Sequence, residues 1–309
     1  MQIALFQVYV MLFESGRDGN VHVTATNSVS QQADIPQFDV GVIDSGVGGL
    51  AVAREIQNLN SSIKIGYFAD TAVFPYGDKN SVEVADRIDF LATKFVEAGT
   101  RLLVIACNTG SSAGLTSIRR KFAREAVEIV GMEPPLKPAA IHSRNKSVAV
   151  VATSGTVSGQ ALTNLRDRVA TDTATKFIAA SGLASSVERG ELTGKDLDSV
   201  LQELLNLISS DGVDSVALGC SHYSFVYEQM RKVLPDGVKL FDAAFPVAKR
   251  TLELWTESRS SDDVSEVSNP ISVFVTGDPA GFVASVTRLE TAGCILPMVS
   301  VNPSPLPIN

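Results

Sequence analysis

Residues 101–109 read RLLVIACNT, and residues 214–222 read DSVALGCSH. Each stretch is a short apolar run that ends at a cysteine, Cys107 or Cys220, with polar residues directly after it. Runs of this length and composition are typical of buried strands in α/β proteins. The two cysteines lie 113 residues apart in matching contexts. They therefore predict two similar units, each with a thiol at the end of a strand.

A second pair of stretches supports this repeat. Residues 40–49 (VGVIDSGVGG) and 148–159 (VAVVATSGTVSG) each place a Ser-Gly after an apolar strand, at Ser45 and Ser154, which are 109 residues apart. The two offsets nearly agree. Because ligands of α/β proteins bind at the carboxyl ends of the strands, two facing lobes would bring both thiols to one cleft.

From Phe38 onward, short β-branched runs alternate with helical periodicity, which predicts βα units around a mainly parallel sheet. The clearest helix spans 81–98, with Asn80 and Glu83 as an N-cap pair and Gly99 as a stop. The predicted fold class is α/β, with two pseudo-symmetric lobes, each a mainly parallel sheet flanked by helices, and the active site in the cleft between them. The predicted strands are 40–43, 63–68, 102–106, 147–151, 215–218 and 271–275.

Composition narrows the class of partner. The 309 residues are 45% hydrophobic and carry 26 basic and 34 acidic side chains, a formal charge of −8, which argues against nucleic acid as the main partner. Three cysteines without CxxC spacing predict free thiols in a reducing, cytoplasmic compartment. No apolar run approaches the roughly 20 residues that span a bilayer, so no membrane is expected as a partner. Residues 1–37 lack clear periodicity and are predicted to be a poorly ordered N-terminal extension.

Two thiols at one cleft suit a specific chemistry. Racemising an amino acid without a cofactor requires one group to remove the Cα proton and another to deliver a proton to the opposite face. A cysteine with an ordinary pKa of about 8.5 supplies some thiolate at neutral pH while its partner stays protonated. Lowering a thiol pKa to about 7 takes roughly 2 kcal/mol, more than one exposed helix N-terminus usually gives. The substrate ammonium is therefore expected to help.

Seven motifs follow one another in chain order: GVIDSGVGGL, YFADTAVFPYGDKN, VIACNT, GMEP, ATSGT, ALGCSHY and VTGDP. Through these motifs the chain resembles the glutamate racemases over about residues 38–303. The resemblance implies that Cys107 and Cys220 are the acid/base residues, with Asp44 supporting Cys107 and His222, together with Glu188, supporting Cys220. The substrate-binding set that it implies is Asp44, Ser45, Tyr76, Gly77, Asn108, Thr109, Ser221 and His222.

The resemblance also implies an organisation and a setting. Residues 38–135 plus 245–309 would form the first α/β lobe and 136–244 the second. The protein would need no cofactor or metal, bind glutamate as its small-molecule substrate, form a homodimer, and supply D-glutamate for peptidoglycan synthesis. Two departures stand out: Ser221 occupies a position where the family usually has threonine, and Glu188 is aligned mainly by its VExG context.

Three other interpretations remain open at this point. Gly46 to Ala51 satisfies a relaxed GxGxxA dinucleotide fingerprint, and Asp70 follows Gly46 by 24 residues, as in an NAD-dependent dehydrogenase that uses the Gly46–Gly48 loop. Against this, Asp44 would lie beside the pyrophosphate and repel it. Related racemases and decarboxylases that act on aspartate or another acid share parts of the pattern. A non-catalytic amino-acid-binding protein could use the same cleft with inert thiols.

Overall fold

The computed structural model describes residues 35–209, 212–258 and 269–307. Within this part of the chain, ten strands form two sheets in which every pairing is parallel. The predicted α/β class with two lobes is confirmed. The predicted extension at 1–37 lies outside the described residues, apart from its last three.

The first sheet has six strands in the order β10-β9-β2-β1-β3-β4. The first two strands in this order, β10 and β9, come from the C-terminal part of the chain. Helices between the strands close both faces, which explains why the central strands are fully buried. The strands are β1 Val40–Asp44, β2 Ile65–Ala69, β3 Leu102–Ile105, β4 Glu128–Gly131, β9 Ile271–Val275 and β10 Val299–Val301.

The second sheet has four strands in the order β6-β5-β7-β8. This order repeats the β2-β1-β3-β4 part of the first sheet, so that β1 corresponds to β5 and β3 to β7. These are the two pairs that the sequence repeat singled out. Its strands are β5 Ser147–Ala152, β6 Ala174–Ala179, β7 Ser215–Gly219 and β8 Lys239–Phe241. The lobe boundaries at 135/136 and 244/245 stay a prediction.

Eleven helices lie among the described residues. The helix predicted at 81–98 runs from Ser81 to Glu97; the Asn80 side chain accepts the Glu83 N–H at 2.9 Å, and Gly99 ends it at φ +92°. No helix in the described ranges is long and apolar enough to cross a bilayer. The helices are α1 Leu50–Leu59, α2 Ser81–Glu97, α3 Asn108–Lys121, α4 Leu136–His142, α5 Ser154–Ser158, α6 Gln160–Val169, α7 Leu183–Glu188, α8 Lys195–Ser209, α9 Tyr227–Val233, α10 Ala244–Glu257 and α11 Pro279–Thr291.

Candidate active site

The two cysteines lie at equivalent places in the two lobes. Cys107 follows β3 and caps α3, where its sulfur accepts a hydrogen bond from the Gly110 N–H at 3.4 Å. Cys220 follows β7 and precedes a short 3₁₀ turn, Ser221–Val226. Both side chains are buried, and both line the same cleft between the lobes. The structure thus brings together the two thiols that the repeat paired.

The cleft has a cavity volume of only about 20 Å³. This is roughly the space that one water molecule needs, so the lobes must move apart before an amino acid can enter. Most of the residues that the sequence analysis proposed line it, and the two that do not, Asp44 and Glu188, hydrogen-bond to lining residues. The proposed residues that line the cleft are Ser45, Tyr76, Gly77, Cys107, Asn108, Thr109, Cys220, Ser221 and His222.

Cys220 lies beside a histidine–carboxylate pair. His222 Nδ1 is 4.0 Å from Cys220 Sγ, and His222 Nε2 is 2.7 Å from Glu188 Oε2. Burial acts to lower the pKa of His222, but the hydrogen bonds to Cys220 and Glu188 outweigh it and raise that pKa well above its ordinary value. A protonated imidazole in this position can donate a hydrogen bond to a sulfur anion. The geometry therefore supports the roles that the resemblance implied for His222 and Glu188.

Asp44 is fully buried at the end of β1 and connects the two lobes. Its Oδ1 accepts the Gly46 N–H at 2.9 Å, and its Oδ2 accepts the Ser221 hydroxyl of the second lobe at 3.0 Å. Burial raises the pKa of Asp44, and the nearby His222 opposes this shift. The contact with Asp44 uses only the hydroxyl of Ser221. Serine can therefore make the same hydrogen bond as the threonine that the family usually has at this position.

Cys107 is held in the thiol form. Burial raises its pKa, and the Asp44 carboxylate raises it further, while the hydrogen bonds that Cys107 makes with Gly110 and Ser45 lower it by less. Deprotonation of Cys107 at neutral pH therefore needs an additional positive charge, which the ammonium group of an amino acid would supply. This agrees with the expectation that a substrate ammonium assists.

This raised pKa gives a pH-dependent prediction. In a Cys220→Ala/Cys294→Ala double variant, the ultraviolet absorbance of the Cys107 thiolate should show no titration step at or below the ordinary value of 9.0. Since the unfolded chain loses this proton near its ordinary pKa and the folded protein retains it, the free energy of unfolding should fall as the pH rises above that value. A thiolate step near neutral pH would contradict the prediction.

The glycine-rich loop after β1 contacts the second lobe. A Cβ at Gly46 would collide with the Glu188 carboxylate, and one at Gly48 would collide with the His222 ring. The Val47 N–H, which a dinucleotide-binding loop would direct at a pyrophosphate, donates to Glu188 Oε2 at 2.9 Å. A carboxylate of the protein itself thus occupies the anion position at the start of α1, which speaks against the dehydrogenase interpretation of this loop.

Asp70, the acidic residue of that fingerprint, is also engaged within the protein. Its buried carboxylate accepts hydrogen bonds from Tyr76, Arg87 and Thr276. Burial and the Asp70 carboxylate raise the pKa of Tyr76 well above its ordinary value, so the hydroxyl stays protonated and keeps donating to Asp70. Tyr76 therefore offers the cleft its ring and backbone, with its hydroxyl directed at Asp70.

Asn108 and Thr109 begin α3 directly after Cys107. Neither the nitrogen nor the oxygen of the buried Asn108 amide has a hydrogen-bond partner among the described residues. An unpaired buried amide is costly, which favours a role in binding a ligand. The Thr109 hydroxyl lies 2.9 Å and 3.0 Å from the hydroxyls of Thr153 and Thr156 in the second lobe.

Four residues that line the cleft were not proposed from the sequence: Phe74, Pro75, Thr153 and Ala184. The Phe74 ring centre is 5.4 Å from that of His222. Three of the four lie inside motifs that carry the resemblance: Phe74 and Pro75 directly precede Tyr76, and Thr153 belongs to ATSGT. Ala184, on α7, had no such signal, because only the folding of the second lobe brings it to the cleft.

Comparisons with known proteins show which family the chain is similar to. The model of the Asp/Glu/Hydantoin racemase family matches residues 52–247. A glutamate racemase from Stutzerimonas stutzeri is 36% identical over 242 residues, which are 78% of this chain and 89% of that protein. One from Roseiflexus sp. is 34% identical over 251 residues, which are 81% of this chain and 92% of that protein.

Solved structures show the same fold. The structure of Escherichia coli glutamate racemase in complex with L-glutamate and the activator UDP-MurNAc-Ala is 29% identical, with a TM-score of 0.71 over 86% of this chain and 98% of that chain. That of the Thermus thermophilus enzyme in complex with β-chloro-D-alanine is also 29% identical, with a TM-score of 0.71 over 88% and 98%. Since the family model covers well over half of the chain, and relatives above 30% identity align over most of both lengths, this chain belongs to the Asp/Glu/Hydantoin racemase family.

Proposed function

We propose that this chain is a glutamate racemase that moves the Cα proton of glutamate between Cys107 and Cys220 without a cofactor. The observation that carries the proposal is that one thiol from each lobe lines a single small cleft. The choice of substrate is supported by the relatives, which are glutamate racemases aligned over most of their length, and by the L-glutamate bound in the Escherichia coli structure.

The reaction needs no atoms beyond the substrate and the two thiols. The thiolate of one cysteine takes the Cα proton and becomes a thiol, leaving a carbanion on the substrate. The thiol of the other cysteine gives its proton to the opposite face of that carbon and becomes a thiolate. The product has inverted configuration, and the two sulfurs have exchanged charge states, so the reverse reaction starts from the state in which the forward reaction ends.

The neighbours of each sulfur fit different parts of this cycle. Cys107, whose pKa is raised, is the thiol of the free protein. It is therefore the proton donor when Cys220 removes the Cα proton. Cys220, with His222 at 4.0 Å and Glu188 behind it, has a partner that can stabilise a sulfur anion. Asp44, beside Cys107, opposes a second anion there until the substrate ammonium arrives.

The substrate would be held by groups from both lobes. The unpaired amide of Asn108 and the hydroxyl of Ser45 can donate hydrogen bonds to the substrate carboxylates, and Thr109 and Ser221, whose hydroxyls already have protein partners, line the same cleft. Tyr76 and Gly77 close one wall with ring and backbone. Hydrogen-bond donors that converge on one cleft are the usual means of binding a small dicarboxylate.

The wider setting is part of the same proposal. We infer a cytoplasmic homodimer that supplies D-glutamate for the synthesis of peptidoglycan, with residues 38–135 and 245–309 as one lobe and 136–244 as the other. Membership of the family and the likeness to bacterial glutamate racemases support this setting.

The decisive experiment is hydrogen exchange at Cα. Incubated in deuterated water without any added cofactor, the protein should exchange the Cα hydrogen of L- or D-glutamate and produce the other enantiomer, which NMR and chiral chromatography detect. Faster turnover of aspartate than of glutamate would favour the related aspartate-acting enzymes. Binding of glutamate without exchange would favour the non-catalytic binding protein, and reduction of added NAD would favour the dehydrogenase.

A further inference from the structure

Asp70 is not part of the cleft lining, yet it is joined to the cleft through Tyr76. Its carboxylate is fully buried directly after β2 and receives four hydrogen bonds. Oδ2 accepts the Tyr76 hydroxyl at 2.6 Å and the Arg87 Nε at 2.9 Å. Oδ1 accepts the Arg87 Nη2 at 2.6 Å and the Thr276 hydroxyl at 2.7 Å. The roughly four acceptor positions of a carboxylate are therefore all occupied.

These bonds join four separate segments of the first lobe. Asp70 follows β2, Tyr76 begins the 3₁₀ turn at Tyr76–Asp78, Arg87 lies on α2, and Thr276 follows β9. The guanidinium binds both carboxylate oxygens, which fixes the orientation of the carboxylate as well as its position. The orientation of the carboxylate in turn fixes where the Tyr76 hydroxyl can lie.

The turn that carries Tyr76 is also where the first lobe meets the second at the cleft. A Cβ at Gly77 would lie 2.8 Å from the Thr153 Cβ, and a Cβ at Gly155 would lie 2.8 Å from the Gly77 carbonyl oxygen. The backbones of the two lobes are thus so closely packed at this turn that not even a methyl group would fit between them. A small displacement of the turn would change the width of the cleft in which both sulfurs lie.

We propose that Asp70 and Arg87 are positioning residues for racemisation, which hold the Tyr76–Gly77 turn where it places the substrate Cα between the two sulfurs. This inference rests on the proposed function. Stability alone gives little reason for a largely buried ion pair, because apolar residues of similar volume often stabilise a protein as well. A role of the Asp70–Arg87 pair in fixing the position of the cleft wall does explain why this pair is present.

The test compares two matched variants. Arg87→Lys keeps the positive charge but loses the two-pronged contact with Asp70, and we expect its kcat for glutamate to fall roughly tenfold to a hundredfold. Its KM should change less, because the groups that bind the carboxylates are untouched. Arg119→Lys is the control: the Arg119 guanidinium also makes two hydrogen bonds in the first lobe, both to the Ile129 carbonyl, but outside the cleft. Its kcat and KM should equal those of the wild type.

A second variant separates a loss of positioning from a loss of folded protein. Tyr76→Phe removes only the hydroxyl that binds Asp70, and it should lower kcat by a smaller factor. Adding Arg87→Lys to it should lower kcat by less than Arg87→Lys does alone, because both changes release the same turn. The positioning role is overturned if kcat per folded molecule is unchanged in Arg87→Lys, or if the two effects simply multiply. Absence of Cα exchange in the wild type would instead overturn the proposed function.

Discussion

Alanine at Cys107 or at Cys220 should all but abolish the interconversion of L- and D-glutamate, with a loss of about 10⁴-fold in kcat, the upper end of what one positioned acid or base contributes. Each sulfur serves one face of the substrate Cα, so neither can replace the other. The proton cannot come from bulk water at a useful rate, because both cysteines are buried at the end of a narrow cleft. Circular dichroism of each enantiomer over time measures the rate of racemisation directly.

Each single cysteine variant should keep the proton transfer that its remaining thiol performs. With one thiol left, the protein can still remove the Cα proton of the enantiomer that faces it, but it can return a proton only to the same face, so the configuration is kept. Slow uptake of deuterium without inversion is therefore expected, limited by exchange of the buried thiol with solvent, with opposite enantiomers for the two variants. The matched control is Cys294→Ala, since this cysteine is only partly buried and contacts the Phe225 carbonyl outside the cleft lining. Racemisation that persists in either active-site variant would disprove the two-base assignment.

Alanine at Gly48 should lower kcat/KM about a hundredfold. The new methyl group would collide with His222 Nδ1 and with the Ser221 hydroxyl. Both groups are held in place, His222 by Glu188 and Ser221 by Asp44, so the lobes must separate to make room. The bond between the Glu188 carboxylate and the loop would weaken at the same time. Steady-state kinetics with both enantiomers gives the loss.

Gly114→Ala controls for the effect of a tight methyl group as such. A Cβ at Gly114 would lie 2.9 Å from the Ile88 Cβ, in the contact between α3 and α2 and outside the cleft. This variant should lower the melting temperature while each folded molecule keeps its kcat/KM. If Gly48→Ala behaves in the same way, the close approach of the second lobe to the loop has no role in catalysis.

The sequence alone predicted the parts of the fold that repeat. The matching contexts of Cys107 and Cys220 identified β3 and β7, and those of Ser45 and Ser154 identified β1 and β5, because central parallel strands are apolar throughout. Four other strands were not predicted. β4, β6, β8 and β10 lie at the edges or outer parts of the sheets, and two of them have only three residues, so pairing with a neighbour rather than composition determines them.

The residues of the candidate site could likewise be predicted only in part. Residues at the ends of the central strands could be placed from the sequence, because the carboxyl ends of parallel strands share one edge. The contacts that these residues make across the lobes could not be predicted from the sequence. The sequence around Gly46 fits a phosphate-binding loop as well as a loop that receives the Glu188 carboxylate, and only the fold of the second lobe, which brings α7 to that loop, decides between them.

Two of the contacts at this site join groups that are far apart in the chain. Glu188 Oε2 binds both the Val47 N–H and the His222 ring, and the Ser221 hydroxyl binds Asp44. Two of these bonds, Val47 to Glu188 and Ser221 to Asp44, thus fasten one half of the protein to the other, and both involve a carboxylate that acts on a sulfur or on its partner. In an opened molecule both carboxylates would lose their cross-lobe partner and the two sulfurs would lie apart, so it could admit or release an amino acid without reacting with it. Chemistry would begin only when the substrate is sealed from solvent, which protects the carbanion from quenching by stray water.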